Sequence, residues 1–316
     1  MALPLHPAAP VLAIGAANMD IAAATPHPLA AGDSTPGTIR HAPGGVARNV
    51  AENLARLGHA VHLWCAVGDD LFGRSLLAQT RAAGVDVSGC WTLPDAATST
   101  YLSLHGPDGD MAVAVNDMAI VDRITAGHLQ QRAAQLPAAG ALLLDGNLPV
   151  PVLAWLFARA AGAPVFVDPV SAFKCRRFLP WLGQIHTLKV NRIEAQALWG
   201  QPLDGDAAIA ACADWLHAQG VRAVVLSLGE RGAYWSAAGA DAGWSAALPV
   251  AVCNATGAGD ALMAGLLHGH LHGLGLRASA AFGTACAALT LTAPQANHPG
   301  LSVGAVHRLQ RRHAPP

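Results

Sequence analysis

The sequence predicts an α/β fold: a central, mainly parallel sheet covered by helices on both faces and carrying a small β-flap. Three observations predict it. Short apolar runs recur along the chain, each followed by a turn and a helical pattern, which is the rhythm of repeated βα units. Those runs show little polar alternation, as expected of strands buried on both faces. Two stretches rich in polar and turn-forming residues break the rhythm and supply the flap.

In chain order, Val11 to Gly15 reads as the first strand and Gly45 to Leu57 as a helix stopped by Gly58. Val61 to Val67 is a second strand, and Leu71 to Ala83 a helix stopped by Gly84. Ala141 to Leu144, Val165 to Val167, Thr187 to Val190 and Val224 to Ser227 are further strands, and Ala261 to His272 is a helix. Ile21 to His41 and Thr98 to Ile120 are the interruptions, the second reading as two extended arms around Gly106-Pro107-Asp108-Gly109. The expectation is one α/β domain over residues 1–316 with lid segments at about 21–41 and 98–120. Its ends, 2–10 and 311–316, are expected to fray. Ligands of such a sheet gather at the carboxyl ends of its strands.

Composition excludes several classes. Nineteen Lys+Arg against 20 Asp+Glu leave a net charge of −1, which argues against a protein that binds the phosphate backbone of nucleic acid. With 53% hydrophobic and 12% charged residues, the 316-residue chain has ample material for a core, and disorder is excluded outside the termini. No apolar run approaches the ~20 residues that span a bilayer. The opening segment lacks a basic stretch and runs into the first strand, so it does not read as a signal peptide. Six scattered cysteines without a CxxC pair read as reduced side chains of a cytoplasmic protein.

The strongest chemical signal is Asn254-Ala255-Thr256-Gly257-Ala258-Gly259-Asp260 before a helix. Small residues there leave the N–H groups of Gly257, Ala258 and Gly259 free for an anion, aided by the helix dipole. Asp260 is placed to accept the proton of a hydroxyl attacking a phosphoryl group. Read alone, the same residues also fit an ordinary turn with Asp260 at a helix start. The second signal is Pro43-Gly44-Gly45 opening a helix that carries Asn49; the glycines allow close ligand approach, and Asn49 offers both a donor and an acceptor.

Together these segments resemble the two signature regions of the PfkB (ribokinase-like) family of sugar and nucleoside kinases. The resemblance covers nearly the whole chain through Asn18-Met19-Asp20, the Gly-Gly helix, Val67-Gly68-Asp69-Asp70 with Phe72-Gly73, Asn191-Arg192-Ile193-Glu194, Ser227 to Gly232, and Thr256 to Asp260. It implies a ribokinase-like fold, ATP as donor, Asp260 as catalytic base, and Gly257, Ala258 and Gly259 as the anion hole. Asn191 and Glu194 match the motif that organises Mg²⁺, through water, and the nucleotide phosphates; a helix cap is the alternative reading of that pair. Ser227, Gly229 and Gly232 match the ATP-site loop. Asn18, Asp20, Gly44, Gly45 and Asn49 match the positions around the sugar hydroxyls, and Asn147 aligns where several sugar kinases place an acidic residue. Asn254 stands where ribokinases carry Asp, which speaks against K⁺ activation.

Within the family, Asp33 to Gly37, Thr98 to Ser103, Val115 to Met118, Val167 to Ser171 with Lys174-Cys175, and Ile185 to Lys189 resemble pseudouridine kinases. That likeness implies phosphorylation of the ribose 5′-hydroxyl of pseudouridine. Ser34, Thr100, Ser103, Asn116 and Asp117 become candidates for reading the uracil edge, or else belong to a solvated lid face. Related kinases clasp their lids together, so a homodimer through the lid is expected. The rival readings are another sugar or nucleoside kinase and a non-catalytic nucleoside binder. A dinucleotide oxidoreductase is excluded because no GxGxxG follows the first strand. His268, His270 and His272 form an HxHxH run, but with no Cys pair or second His cluster nearby in sequence they read as packing residues rather than metal ligands. The eight Trp residues likewise read as packing.

Overall fold

The computed structural model describes residues 9–160 and 162–313. The expected fraying at 2–8 and 314–316 lies outside them. The elements follow in order as β1 (Val11–Ile14), β2 (Asn18–Ala24), β3 (Thr38–Gly44), α1 (Val46–Arg56), β4 (Val61–Trp64), β5 (Ala66–Gly68), α2 (Leu71–Ala82), β6 (Trp91–Leu93), β7 (Thr100–His105) and β8 (Met111–Asp117). They continue as α3 (Ala126–Gln130), β9 (Ala141–Asp145), α4 (Val150–Phe157), β10 (Val165–Asp168), α5 (Ala172–Cys175), β11 (Thr187–Asn191), α6 (Arg192–Trp199), α7 (Gly205–Ala218) and β12 (Ala223–Ser227). The chain closes with β13 (Ala233–Ala237), β14 (Ala242–Ser245), α8 (Ala258–Leu271), α9 (Leu276–Leu291) and α10 (Val303–Arg312).

Eight strands form the main sheet in the order β14-β13-β12-β11-β10-β9-β1-β4. The six from β12 to β4 are parallel, while β13 and β14 run antiparallel at one edge, an addition the sequence reading missed. Alternation along each strand divides the core in two. Val11, Ala13, Leu63, Leu143, Phe166 and Val225 point to the side covered by α1, α8 and α9. Leu12, Ile14, Leu142, Leu144, Val167, Leu188 and Leu226 point to the side covered by α4, α6 and α7. Gly265 of α8 meets Gly283 of α9 so closely that a Cβ on Gly265 would lie 2.3 Å from the Gly283 Cα.

One expectation is corrected and one is extended. The run Val61 to Val67 is not one strand, because β4 is the edge of the main sheet and the chain turns beyond Trp64, where β5 pairs with β6 in a separate two-stranded sheet. The lid segments form a four-stranded sheet, β3-β2-β7-β8, in which 98–120 supplies the two expected arms as β7 and β8, and the sheet extends back to Asn18, slightly before the expected start near 21. Four strands suffice for an independent sheet where two would be marginal. Asp70 anchors its base: its carboxylate caps α2 through Gly73 N–H at 2.7 Å and accepts from both Thr98 N–H and the Thr98 hydroxyl.

Candidate active site

The carboxyl ends of β1, β9, β10, β11 and β12 point toward one edge of the sheet, where the last four end in Asp145, Asp168, Asn191 and Ser227. Asp145 ends β9 fully buried, where it accepts from the N–H groups of Ala16 (2.9 Å), Ala47 (3.1 Å) and Asn147 (2.9 Å). One carboxylate thus ties the exit of β1 to the start of α1. Burial pushes its carboxyl up, against those three donors. Gly15 is required beside it, since a Cβ there would meet Asp145 Oδ2 at 2.3 Å.

Asp168 at the end of β10 pairs with the buried Lys189 of β11. The turn that follows puts Val170 at φ +69°, with Ser171 N–H donating to Pro169 C=O at 2.8 Å, a three-residue turn that is strained for a β-branched side chain. Asn191 and Glu194 form a reciprocal capping box on α6: Glu194 N–H donates to Asn191 Oδ1 and Asn191 N–H to Glu194 Oε2, both at 2.9 Å. The helix-cap reading of that pair is therefore realised. Glu194 is also buried, and burial together with Asp168 pushes its carboxyl up.

Asp260 lies in the first turn of α8, which starts at Ala258, three residues earlier than the sequence pattern suggested. Gly257 precedes it at φ +84°, and a Cβ there would lie 1.9 Å from Ala296 C=O, so glycine is required. The first helical bond runs from Ala261 N–H to Gly257 C=O, so the preceding N–H groups lie ahead of the helical ladder. Asn49 Nδ2 donates to Asp260 Oδ2 at 2.7 Å, joining the two signature segments across 211 positions of sequence. Burial and the Asp168 carboxylate push Asp260 up to about 7, while Lys189, the Asn49 amide and Arg48 pull it down.

Arg48, 1% exposed, donates to Gly44 C=O, Pro43 C=O, Glu52, Asn49 Oδ1 and Asn297 Oδ1, and so clamps the Gly-Gly turn to α1. Asn297 returns its amide to Asn49 C=O and Asn53 Oδ1, both at 2.9 Å. Gly44 makes room for Asp20, whose carboxylate a Cβ would meet at 2.3 Å, and Asn18 Nδ2 donates to Asp20 Oδ1 at 2.6 Å. Gly45 caps α1 at φ +97°. Burial pushes the Asp20 carboxyl up. Asn147 Oδ1 accepts from Lys174 Nζ at 2.5 Å.

The lid register sorts the uracil candidates. Asp20 pairs with Tyr101 and Tyr101 with Asn116, while Ala22 pairs with Ser103 and Ser103 with Ala114, so Ser103 and Asn116 share the face of Asp20. Thr100 and Asp117 pair with each other and fall on the opposite face with Leu102, and the Asp117 carboxylate accepts from Ala119 N–H. Ala114 leaves the leucine face, and Ala112 falls at an irregularity after Leu104; the residues opposite the two leucines are Val115 and Val113. Ser34 is exposed in the loop between β2 and β3 and is not brought to the cluster. Ser227 ends β12 with its hydroxyl near Val190 C=O, and Gly229 (φ +59°) and Gly232 (φ +87°) shape the following loop.

Sequence reasoning assigned no role to Asp145, Asp168, Lys189, Arg48, Asn297 or Tyr101. A lysine inside the apolar run Thr187 to Val190 was the available signal for one of them, because a buried ammonium demands a partner.

The chain matches the model of the pfkB family of carbohydrate kinases over residues 8–302. A pseudouridine kinase of Escherichia coli is 45% identical over 296 residues, covering 94% of this chain and 95% of that protein. Among solved structures, a putative sugar kinase from Clostridium perfringens superimposes with a TM-score of 0.84 at 26% identity, covering 96% and 95% of the two chains. An Arabidopsis thaliana ribokinase complexed with ribose and ATP gives a TM-score of 0.84 at 21% identity over 96% and 98%. The fold is therefore ribokinase-like, with the four-stranded sheet in the position of a lid. No helix among the described residues is long and apolar enough to cross a membrane. With the match running nearly end to end and the two signature segments meeting at Asn49 and Asp260, the chain belongs to the pfkB family of carbohydrate kinases and is a phosphotransferase acting on a sugar or nucleoside.

Proposed function

We propose that the chain transfers the γ-phosphoryl group of ATP to the ribose 5′-hydroxyl of pseudouridine. The observation that carries the chemistry is Asp260, held by Asn49 within the first turn of α8 directly after the glycines that free its N–H groups. The acceptor assignment is supported by the 45% identity to the E. coli pseudouridine kinase across nearly all of both chains.

Asp260 takes the proton of the 5′-hydroxyl as its oxygen bonds to the γ-phosphorus and the bond to the β-phosphate oxygen breaks, leaving ADP and pseudouridine 5′-phosphate. Backbone N–H groups of Gly257, Ala258 and Gly259 take up charge on the phosphoryl oxygens. Asn18, Asp20, Gly44, Gly45, Asn49 and Asn147 surround the ribose, and Asp20 accepts two hydroxyl donors at once. Ser103 and Asn116 face the base. Ser227, Gly229 and Gly232 line the nucleotide.

Asp168, Glu194 and Asp260 gather carboxyl oxygens around Lys189, an oxygen-rich donor set that fits Mg²⁺ held through water by Asn191 and Glu194. The ion supplies charge neutralisation on the phosphates. Residues 1–316 act as one catalytic unit with the four-stranded lid, and the leucine face of that lid pairs two copies.

ADP release measured with pseudouridine, uridine, adenosine, ribose and fructose tests the acceptor. Pseudouridine should exceed ribose in kcat/KM by at least about 10², since a lid that hydrogen-bonds the base leaves polar groups unpaired without it. Equal use of ribose would overturn the acceptor and leave the phosphotransfer chemistry standing.

A further inference from the structure

His268 and His272 lie one helical turn apart on the last turns of α8, and His59 follows the carboxyl end of α1. The fold brings the three together: one ring nitrogen from each lies within 4.8 Å of the other two. His59 Nε2 and His268 Nδ1 are 2.8 Å apart, and the rings of His268 and His272 are 4.2 Å apart between centroids. The supporting contacts resemble the outer shell of a metal centre. His272 Nδ1 donates to His268 C=O at 2.9 Å, which fixes its proton there and leaves the Nε2 lone pair free. Phe282 stacks on the His268 ring at 4.4 Å and holds its orientation.

We propose that His59, His268 and His272 bind one transition-metal ion of the zinc class, clamping the end of α1 to the end of α8. Three imidazoles without a carboxylate favour Zn²⁺ or its first-row neighbours over Mg²⁺. Tetrahedral coordination at about 2.0 Å asks for nitrogen atoms about 3.3 Å apart, so the His59–His268 pair opens by roughly half an ångström. The ring that donates the present hydrogen bond moves its proton to its other nitrogen, and no net proton is released. His272 is exposed, so water completes the coordination. The site lies eight residues from Asp260, about 12 Å along α8, and is independent of the phosphotransfer reading. The sequence pattern alone had lacked the third ligand, which His59 supplies from 209 positions away.

The untagged full chain, stripped with chelator, is titrated with Zn²⁺ by calorimetry and with Co²⁺ by visible absorption. The expectation is one equivalent of Zn²⁺, Co²⁺ d–d bands without thiolate charge transfer, and a Tm rise of about 4 °C at a hundredfold excess over Kd. His59→Gln and His272→Gln, at positions that are not fully buried, should keep the metal-free Tm, weaken Zn²⁺ binding at least about tenfold and lose the metal-induced Tm rise. Binding unaffected by both variants, or binding that disappears instead in a variant of the exposed Cys253 (Cys253→Ser), overturns the proposal.

Discussion

At the scale of single residues, Asp260 is held in a state that favours reactivity over stability. Its carboxyl is pushed up to about 7, chiefly by burial, so the folded chain keeps a proton that the unfolded chain has lost above about 4. Between those limits the folded state binds more protons, and stability falls as pH rises from about 4 to about 7. Asp260→Asn removes the ionisation, so at pH 8 it should raise stability by about 1–3 kcal/mol, read from denaturant midpoints against wild type. The same variant should lower kcat by about 10²–10⁴ with nucleoside binding retained, because the proposed proton acceptor is gone. Wild-type kcat/KM should rise with pH through about 7. A variant with near-normal turnover would rule out Asp260 as the base.

Among the elements, α6 opens on a pair whose capping role and proposed chemical role can be tested apart. Asn191 and Glu194 cap the helix reciprocally, and Glu194 stands in the electrostatic company of Asp168 and Lys189. Asn191→Ala should cost about 1 kcal/mol, seen as a lowered Tm, through loss of the cap. Asn191→Ser preserves a cap while removing the amide, so its Tm should stay near wild type. If the amide organises the magnesium waters, that variant should still raise the Mg²⁺ concentration needed for half-maximal turnover. An unchanged Mg²⁺ requirement would leave Asn191 with the cap alone.

For the molecule as a whole, the lid leaves Ile39, Leu102, Val113 and Val115 exposed, and cross-strand pairing puts all four on one face, opposite to that of Asp20. This apolar face is the one that the proposed two-fold pairing would bury on both copies. Leu102→Glu with Val115→Glu places two charges on directly opposed residues, and the variant should elute as a monomer in size-exclusion chromatography with light scattering. Its acceptor KM should rise more than its kcat falls, since an unsupported lid loses order. A wild-type chain that is monomeric at micromolar concentration would overturn the dimer without touching Asp260.

The sequence by itself determined the parallel sheet, the Gly-Gly helix start, a helix carrying Asp260 in its first turn region, and the opposite parity of Leu102 and Ser103, because periodicity, capping and alternation are local properties of the backbone. It also singled out Asn49 and Asp260 separately. Only the tertiary structure decided that these two share a hydrogen bond, that Asp168 and Lys189 pair in the interior, and that Asp145 ties β1 to α1. It also paired Asp117 with Thr100, whose place on the leucine face was already legible from its parity with Leu102, and brought His59 to the HxHxH helix. Each of those facts rests on strand register or helix packing between segments distant in the chain. A pattern read within a short window contains no term for such contacts, while burial and charge pairing, which set the Asp260 proton, depend on nothing else.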